Sequence, residues 1–137
     1  AEVLTTTARV MVVDDELVIV VVFTALLENI GCTVVGLPRP AEALRTFYDD
    51  PNGFDLVITD LTMPELGGAD LARTMLSIRP ELPIILCSGY SAALDETAAL
   101  KIGIRRFLMK PVPAKVILDA VKKCLAQRRE SGALRLT

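Results

Sequence analysis

Five short runs of apolar, mostly β-branched residues recur along the chain: Val10 to Val13, Thr33 to Leu37, Leu56 to Thr59, Ile84 to Cys87 and Phe107 to Met109. The segments between them carry apolar residues at helical spacing, such as Leu71, Met75 and Ile78, or Ile117, Ala120, Val121, Cys124 and Leu125. Strands that alternate with helices pair in parallel through right-handed crossovers, and helices then cover both sheet faces, which is why the strands read as nearly continuous apolar runs. The pattern predicts a doubly wound α/β three-layer sandwich of five βα units. Helix borders agree with it: Pro40 and Pro113 suit first-turn positions, Gly31 and Gly103 suit C-terminal caps, and Pro80 stops the helix before it.

One segment opposes its own local propensity. Val18-Ile19-Val20-Val21-Val22 is a β-branched run of the kind that favours a strand. Yet Ile19, Val22, Phe23, Leu26 and Ile30 keep a helical stripe as far as Gly31, a span too long for one strand, so a helix is expected.

With 137 residues the chain is sized for one domain that needs neither disulfides nor metals to hold its core. Residues 8–126 carry the pattern; residues 1–7 and 127–137 read as tails or linkers, and the absence of Met at position 1 suggests a piece of something longer. No stretch approaches the roughly 20 apolar residues of a membrane-spanning helix, and residues 1–8 do not resemble a secretory signal. A net charge of -2, with no basic block beyond Arg128 and Arg129, gives no footprint for direct nucleic-acid contact. Cys32, Cys87 and Cys124 are an odd number, widely spaced among apolar neighbours, as expected of buried thiols in a reduced, cytoplasmic protein. Histidine is absent, which removes Ser/His/Asp and Cys/His nucleophile systems and the commonest zinc ligand.

Doubly wound sheets place their sites beyond the C-terminal ends of the strands. Here those exits are Asp14-Asp15-Glu16, Asp60, Ser88-Gly89 and Lys110-Pro111. Taken singly each has an ordinary explanation: an acid or Ser at a strand end is often a helix cap, and Lys-Pro is often only a turn. Together they are specific. Carboxylates converging at one sheet edge raise each other's pKa unless a cation compensates them. Mg²⁺, which takes oxygen ligands and keeps several waters, suits such a set, with Asp15 and Asp60 as the expected direct ligands. One carboxylate can then attack phosphorus while Lys110 and Ser88 serve the equatorial oxygens.

The runs Val12-Val13-Asp14-Asp15-Glu16, Ile58-Thr59-Asp60-Leu61-Thr62-Met63-Pro64-Glu65-Leu66-Gly67-Gly68, Leu86-Cys87-Ser88-Gly89-Tyr90 and Phe107-Leu108-Met109-Lys110-Pro111 resemble the receiver domains of bacterial response regulators and hybrid histidine kinases, over about residues 8 to 126. The resemblance implies a flavodoxin-like fold with strand order 2-1-3-4-5. It implies a phosphorelay in which Asp60 accepts a phosphoryl group from the histidine of a kinase or histidine phosphotransfer domain. It further implies Mg²⁺ held by Asp14, Asp15, Asp60 and the Thr62 backbone carbonyl, Lys110 gripping the phosphoryl group, Ser88 and Phe107 acting as the switch pair, and a cis Lys110-Pro111 bond. Such a domain signals rather than turning over a substrate, and a homodimer formed on phosphorylation is a further expectation. The Ser88-Gly89-Tyr90-Ser91 run, together with Leu61-Thr62-Met63-Pro64, resembles receivers appended to hybrid sensor kinases more than those fused to DNA-binding output domains.

The chain also departs from that pattern. Leu17 stands where proline often follows the acidic cluster, and Phe107 is a less frequent switch aromatic than Tyr. Val21, beside Thr24, Ala25 and Glu28 and flanked by Val18, is expected on the outer face of the first helix, where receivers commonly carry charge; this is either a partner-docking surface or an ordinary pair of apolar surface residues. Two other readings compete: a pseudo-receiver that binds partners without phosphorylation, which the intact Asp15, Asp60 and Lys110 oppose, and an FMN-binding protein of the same architecture. Asp14-Asp15-Glu16 at the first exit would repel the anionic FMN phosphate, and no Gly/Ser/Thr cradle replaces it.

Overall fold

The computed structural model describes residues 8–89 and 96–136, with side chains through Gln127. Elements alternate strictly: β1 (Arg9–Val13), α1 (Leu17–Asn29), β2 (Thr33–Leu37), α2 (Pro40–Asp49), β3 (Leu56–Asp60), α3 (Gly68–Ile78), β4 (Ile84–Ser88), α4 (Glu96–Ile102), β5 (Arg106–Met109) and α5 (Ala114–Leu136). The five strands form one parallel sheet in the order β2-β1-β3-β4-β5. This is the flavodoxin-like doubly wound sandwich expected from the sequence, with β2 and β5 as half-exposed edges and β3 and β4 buried along their whole length.

Two cores lie on the two faces of that sheet, and strand residues alternate between them with the period of two that a pleat imposes. Val10, Val12, Ile58, Ile85 and Cys87 pack with Phe23 and Leu27 of α1 and Ile117, Val121 and Cys124 of α5. Met11, Val13, Val57, Ile84 and Leu86 pack with Phe47 of α2, Leu71 and Met75 of α3 and Ala99 of α4. All three cysteines are buried and free.

The β-branched run is helical, since α1 covers Leu17–Asn29. Four of the five residues of the expected stripe, Ile19, Phe23, Leu26 and Ile30, face the core, and Val22 does not. Val20 and Leu27 join them there, whereas Val22 is 46% exposed. Within the apolar run Val18 to Val22, spacing placed Val21 outward as observed but could not choose between Val20 and Val22; packing against the sheet did. Ile78, expected in the α3 stripe, is likewise exposed at the end of its helix. Gly31 and Gly103 take positive φ of 99° and 114° after α1 and α4, the left-handed cap conformation that glycine adopts without strain. Pro40 opens α2 as expected; Pro113 lies one residue before α5, where its carbonyl accepts from Val116 and Ile117. Residues 127–136, expected as a tail or linker, continue α5.

One close approach locks the turn that follows β3. A Cβ on Gly68 would lie 2.1 Å from the Asp60 carbonyl oxygen, so the start of α3 can sit against the β3 exit only without a side chain. The Gly68 amide also donates to the Leu61 carbonyl at 2.8 Å. Gly68→Ala is therefore expected to destabilise the protein by about 1–3 kcal/mol through forced backbone movement, measurable as a lower urea midpoint at unchanged slope. An unshifted midpoint would show that α3 can retreat freely.

Candidate functional site

The parallel sheet delivers four strand exits to one edge. Asp14 follows β1, Asp60 ends β3, Ser88 ends β4 and Lys110 follows β5. Asp14, Asp60 and Ser88 are the buried polar residues that close the apolar sheet on this side, at 2%, 6% and 0% exposure. Lys110 enters from the edge strand and joins them. Its Nζ lies 3.0 Å from Asp14 Oδ2 and 3.0 Å from Asp60 Oδ1, with Glu16 Oε1 at 3.3 Å. The Lys110 amide donates to the Ser88 carbonyl at 2.7 Å, which ties the lysine backbone to the end of β4. The Lys110-Pro111 bond is cis, as expected.

Carboxylate oxygens of Asp14, Asp15 and Asp60 lie within 4.8 Å of one another. Asp14, Asp15 and Asp60 would hold a hard divalent cation such as Mg²⁺, which takes oxygen ligands. The donor set is all oxygen, which is the chemistry a hard divalent cation selects. Burial pushes the Asp14 and Asp60 carboxyls above the ordinary carboxylate range; the Asp14 oxygens are held down in part by the Glu16 amide and by Lys110, those of Asp60 by Lys110 alone, while Asp14 and Asp15 push Asp60 further up. Burial also opposes the Lys110 ammonium, but its bonds to Asp14 and Asp60 outweigh that and hold it above its ordinary range. The site thus gathers more negative charge than its one ammonium compensates.

The other expected residues take varied positions. The Ser88 hydroxyl donates to the Gly89 carbonyl at 3.2 Å. Phe107 is half-buried on the α2–α3–α4 side of the sheet, in register with Leu86. Thr62 is exposed in the turn between Asp60 and Gly68, with Leu61 and Met63 buried on either side of it. Tyr90 and Ser91 lie outside the described residues. Glu16, which the sequence placed in a motif without a task, is a direct partner of Lys110; its carboxylate at the strand exit was the available signal. Buried Cys87, opposite Asp60 in the β3–β4 register, has its thiol pushed up to about 12 by burial and is no competing nucleophile.

A doubly wound sheet with an acidic, lysine-bridged cluster at its strand exits is an arrangement able to hold a divalent cation. The response regulator receiver domain family matches residues 10–122, and the chain belongs to that family, a component of two-component signalling. Among curated relatives, the transcriptional regulatory protein ZraR of Salmonella typhimurium is 30% identical over 90% of this chain and 28% of its own length. The chemotaxis protein CheY of Thermotoga maritima is 28% identical over 84% of this chain and 95% of its own. A response regulator receiver domain protein from Clostridium thermocellum has a solved structure with a TM-score of 0.84 and 33% identity, covering 89% of this chain and 97% of that one. The transcriptional regulators that it matches are much longer, and this chain spans between 26% and 30% of their length.

Proposed function

We propose that this domain accepts a phosphoryl group from a partner's histidine onto Asp60, with Mg²⁺ at Asp14, Asp15, Asp60 and the Thr62 carbonyl. The observation that carries this reading is the single ammonium of Lys110 spanning Asp14 and Asp60, 3.0 Å from each, at the edge of an all-oxygen cluster. An Asp60 carboxylate oxygen attacks phosphorus, the bond from phosphorus to the histidine nitrogen breaks, and the electron pair leaves with the imidazole. Bound Mg²⁺ supplies positive charge to the phosphoryl oxygens. Lys110, bonded to Asp60 in the metal-free site, stays within reach and pairs with a phosphoryl oxygen. Ser88 turns toward the new charge and biases Phe107 between rotamers. The chain has no histidine, so the donor belongs to another domain or molecule.

The test is to add Mg²⁺ and acetyl phosphate and weigh the intact protein. A gain of one phosphoryl group in the wild type, absent from Asp60→Asn, is the expected result; no gain in the wild type would favour a pseudo-receiver.

The partner is a histidine kinase or histidine phosphotransfer domain, and α1 supplies its docking face. Leu17, Val18 and Val21 are each more than 60% exposed and continue into Val22, directly after the acidic cluster. An apolar patch beside the acceptor suits an apolar helix that carries the donor histidine. Val21→Glu places a buried charge in that contact and is expected to slow transfer from the partner about tenfold while leaving uptake from acetyl phosphate unchanged; equal rates with the partner would remove α1 from the interface.

Three buried free thiols suit a reducing cytoplasm, and among the described residues no helix is long and apolar enough to cross a membrane. For the parent architecture two readings stand. Ser88-Gly89-Tyr90-Ser91 supports a hybrid sensor kinase, whereas the curated relatives are largely transcriptional regulators, whose DNA contacts would lie outside this domain. Sequence flanking residues 1 and 137 in the parent gene separates them.

A further inference from the structure

Glu16 combines a pinned backbone with a side chain that makes a long-range contact. Its amide donates to Asp14 Oδ1 at 2.9 Å, and its carbonyl accepts from Ile19 and Val20. The N-cap side chains that bond the first free amides of a helix are the short ones of Ser, Thr, Asp and Asn. Glu16 makes no such bond; its Oε1 instead reaches the ammonium of Lys110, 94 residues along the chain, at 3.3 Å. Lys110 therefore has three carboxylate partners for its three N–H donors. Asp14 and Asp60 belong to the trio that fits a divalent cation, while Glu16 does not. A cation entering the site must compete with the ammonium for oxygens of Asp14 and Asp60, but not for those of Glu16.

We propose that Glu16 is a positioning residue for Lys110. It is the acceptor that keeps the ammonium at the rim of the site when a divalent cation takes over Asp14 and Asp60, and so leaves it in reach of an arriving phosphoryl group. The Glu16 side chain is 60% exposed, so it can follow the lysine outward at small desolvation cost. Without it, Lys110 is left with only the contested carboxylates, and cation entry must push the ammonium into water. This role rests on the Mg²⁺ reading above.

The experiment is a Mg²⁺ titration of the whole chain, followed by amide NMR shifts, in wild type, Glu16→Gln, Lys110→Met and the double variant. Glu16→Gln is expected to weaken Mg²⁺ binding about fivefold when Lys110 is present and by less than about twofold in the Lys110→Met background, as coupled neighbours do. Equal weakening in both backgrounds would make Glu16 merely a nearby negative charge and overturn the proposal, as would no weakening in the first. A wild type that binds no Mg²⁺ overturns the metal reading itself, which is a different result from a wild type that binds and a Glu16→Gln that binds equally well. A metal-free arm stands apart from both: the Lys110 Cε and Hε signals are expected to move in Glu16→Gln at unchanged melting temperature. Should Lys110→Met be too unstable to titrate, that arm decides, and unmoved signals overturn the contact.

Discussion

Asp60→Asn is expected to take up no phosphoryl group under any donor, and to be more stable than the wild type in metal-free buffer at neutral pH. The first outcome follows from chemistry, because an amide oxygen is too poor a nucleophile to replace the carboxylate. The second follows from the environment. Burial is the largest influence on the Asp60 carboxyl and raises its pKa above the ordinary value, with Asp14 and Asp15 adding to the rise and Lys110 only partly opposing it. An acid whose folded pKa is raised supports the fold fully below its unfolded pKa and loses that support as pH rises through the folded pKa. Above the ordinary carboxylate range the ionised Asp60 is thus a net cost, and the neutral Asn avoids it. Denaturant midpoints measured at a series of pH values should show the variant's advantage growing from acid toward neutral pH, then levelling. An advantage greatest in acid would reverse the sign and show that Lys110 more than compensates burial. Mg²⁺ should raise the midpoint of the wild type more than that of Asp60→Asn, since a ligand stabilises by its preference for the folded state.

Lys110→Met is the complementary case. It keeps the length and apolar stem of the side chain but removes the one cation that spans Asp14 and Asp60, whose side chains are 3% and 7% exposed. Breaking a buried pair on one side leaves uncompensated charge, and the expected loss is about 3 kcal/mol. Two controls separate charge from packing. Combining Lys110→Met with Asp60→Asn should cost much less than Lys110→Met does alone, because one of the stranded carboxylates is then gone. Mg²⁺ should recover part of the loss. If neither control recovers stability, the lysine acts through its stem rather than its charge. Uptake from acetyl phosphate should also fall by about a hundredfold, in keeping with loss of one aimed donor to developing charge.

Much of this molecule was legible before any coordinates. The β-branched runs and the helical stripes between them specify five βα units, because a parallel sheet buried on both faces admits few other patterns. The four polar exits mark one edge of that sheet for the same reason, and the structure brings Asp14, Asp60, Ser88 and Lys110 to that edge. The α1 stripe was less legible. Val18 to Val22 is apolar on every side, so the pattern had no contrast from which to choose between Val20 and Val22, and only the packing of Phe23 and Leu27 against the sheet decided it. The motif also contained Glu16 without saying where its carboxylate would go.

The sequence by itself therefore determined the order of elements, the parallel sheet and which residues stand at its functional edge, since these follow from periodicities of two and 3.6 and from the connections that parallel strands require. Tertiary structure alone decided that Val20 rather than Val22 turns toward the core, and that one ammonium serves three carboxylates. The physical reason is distance in the chain: Lys110 meets Glu16 across 94 residues and Asp14 across 96, and no local periodicity encodes a contact made only when five strands have closed into one sheet.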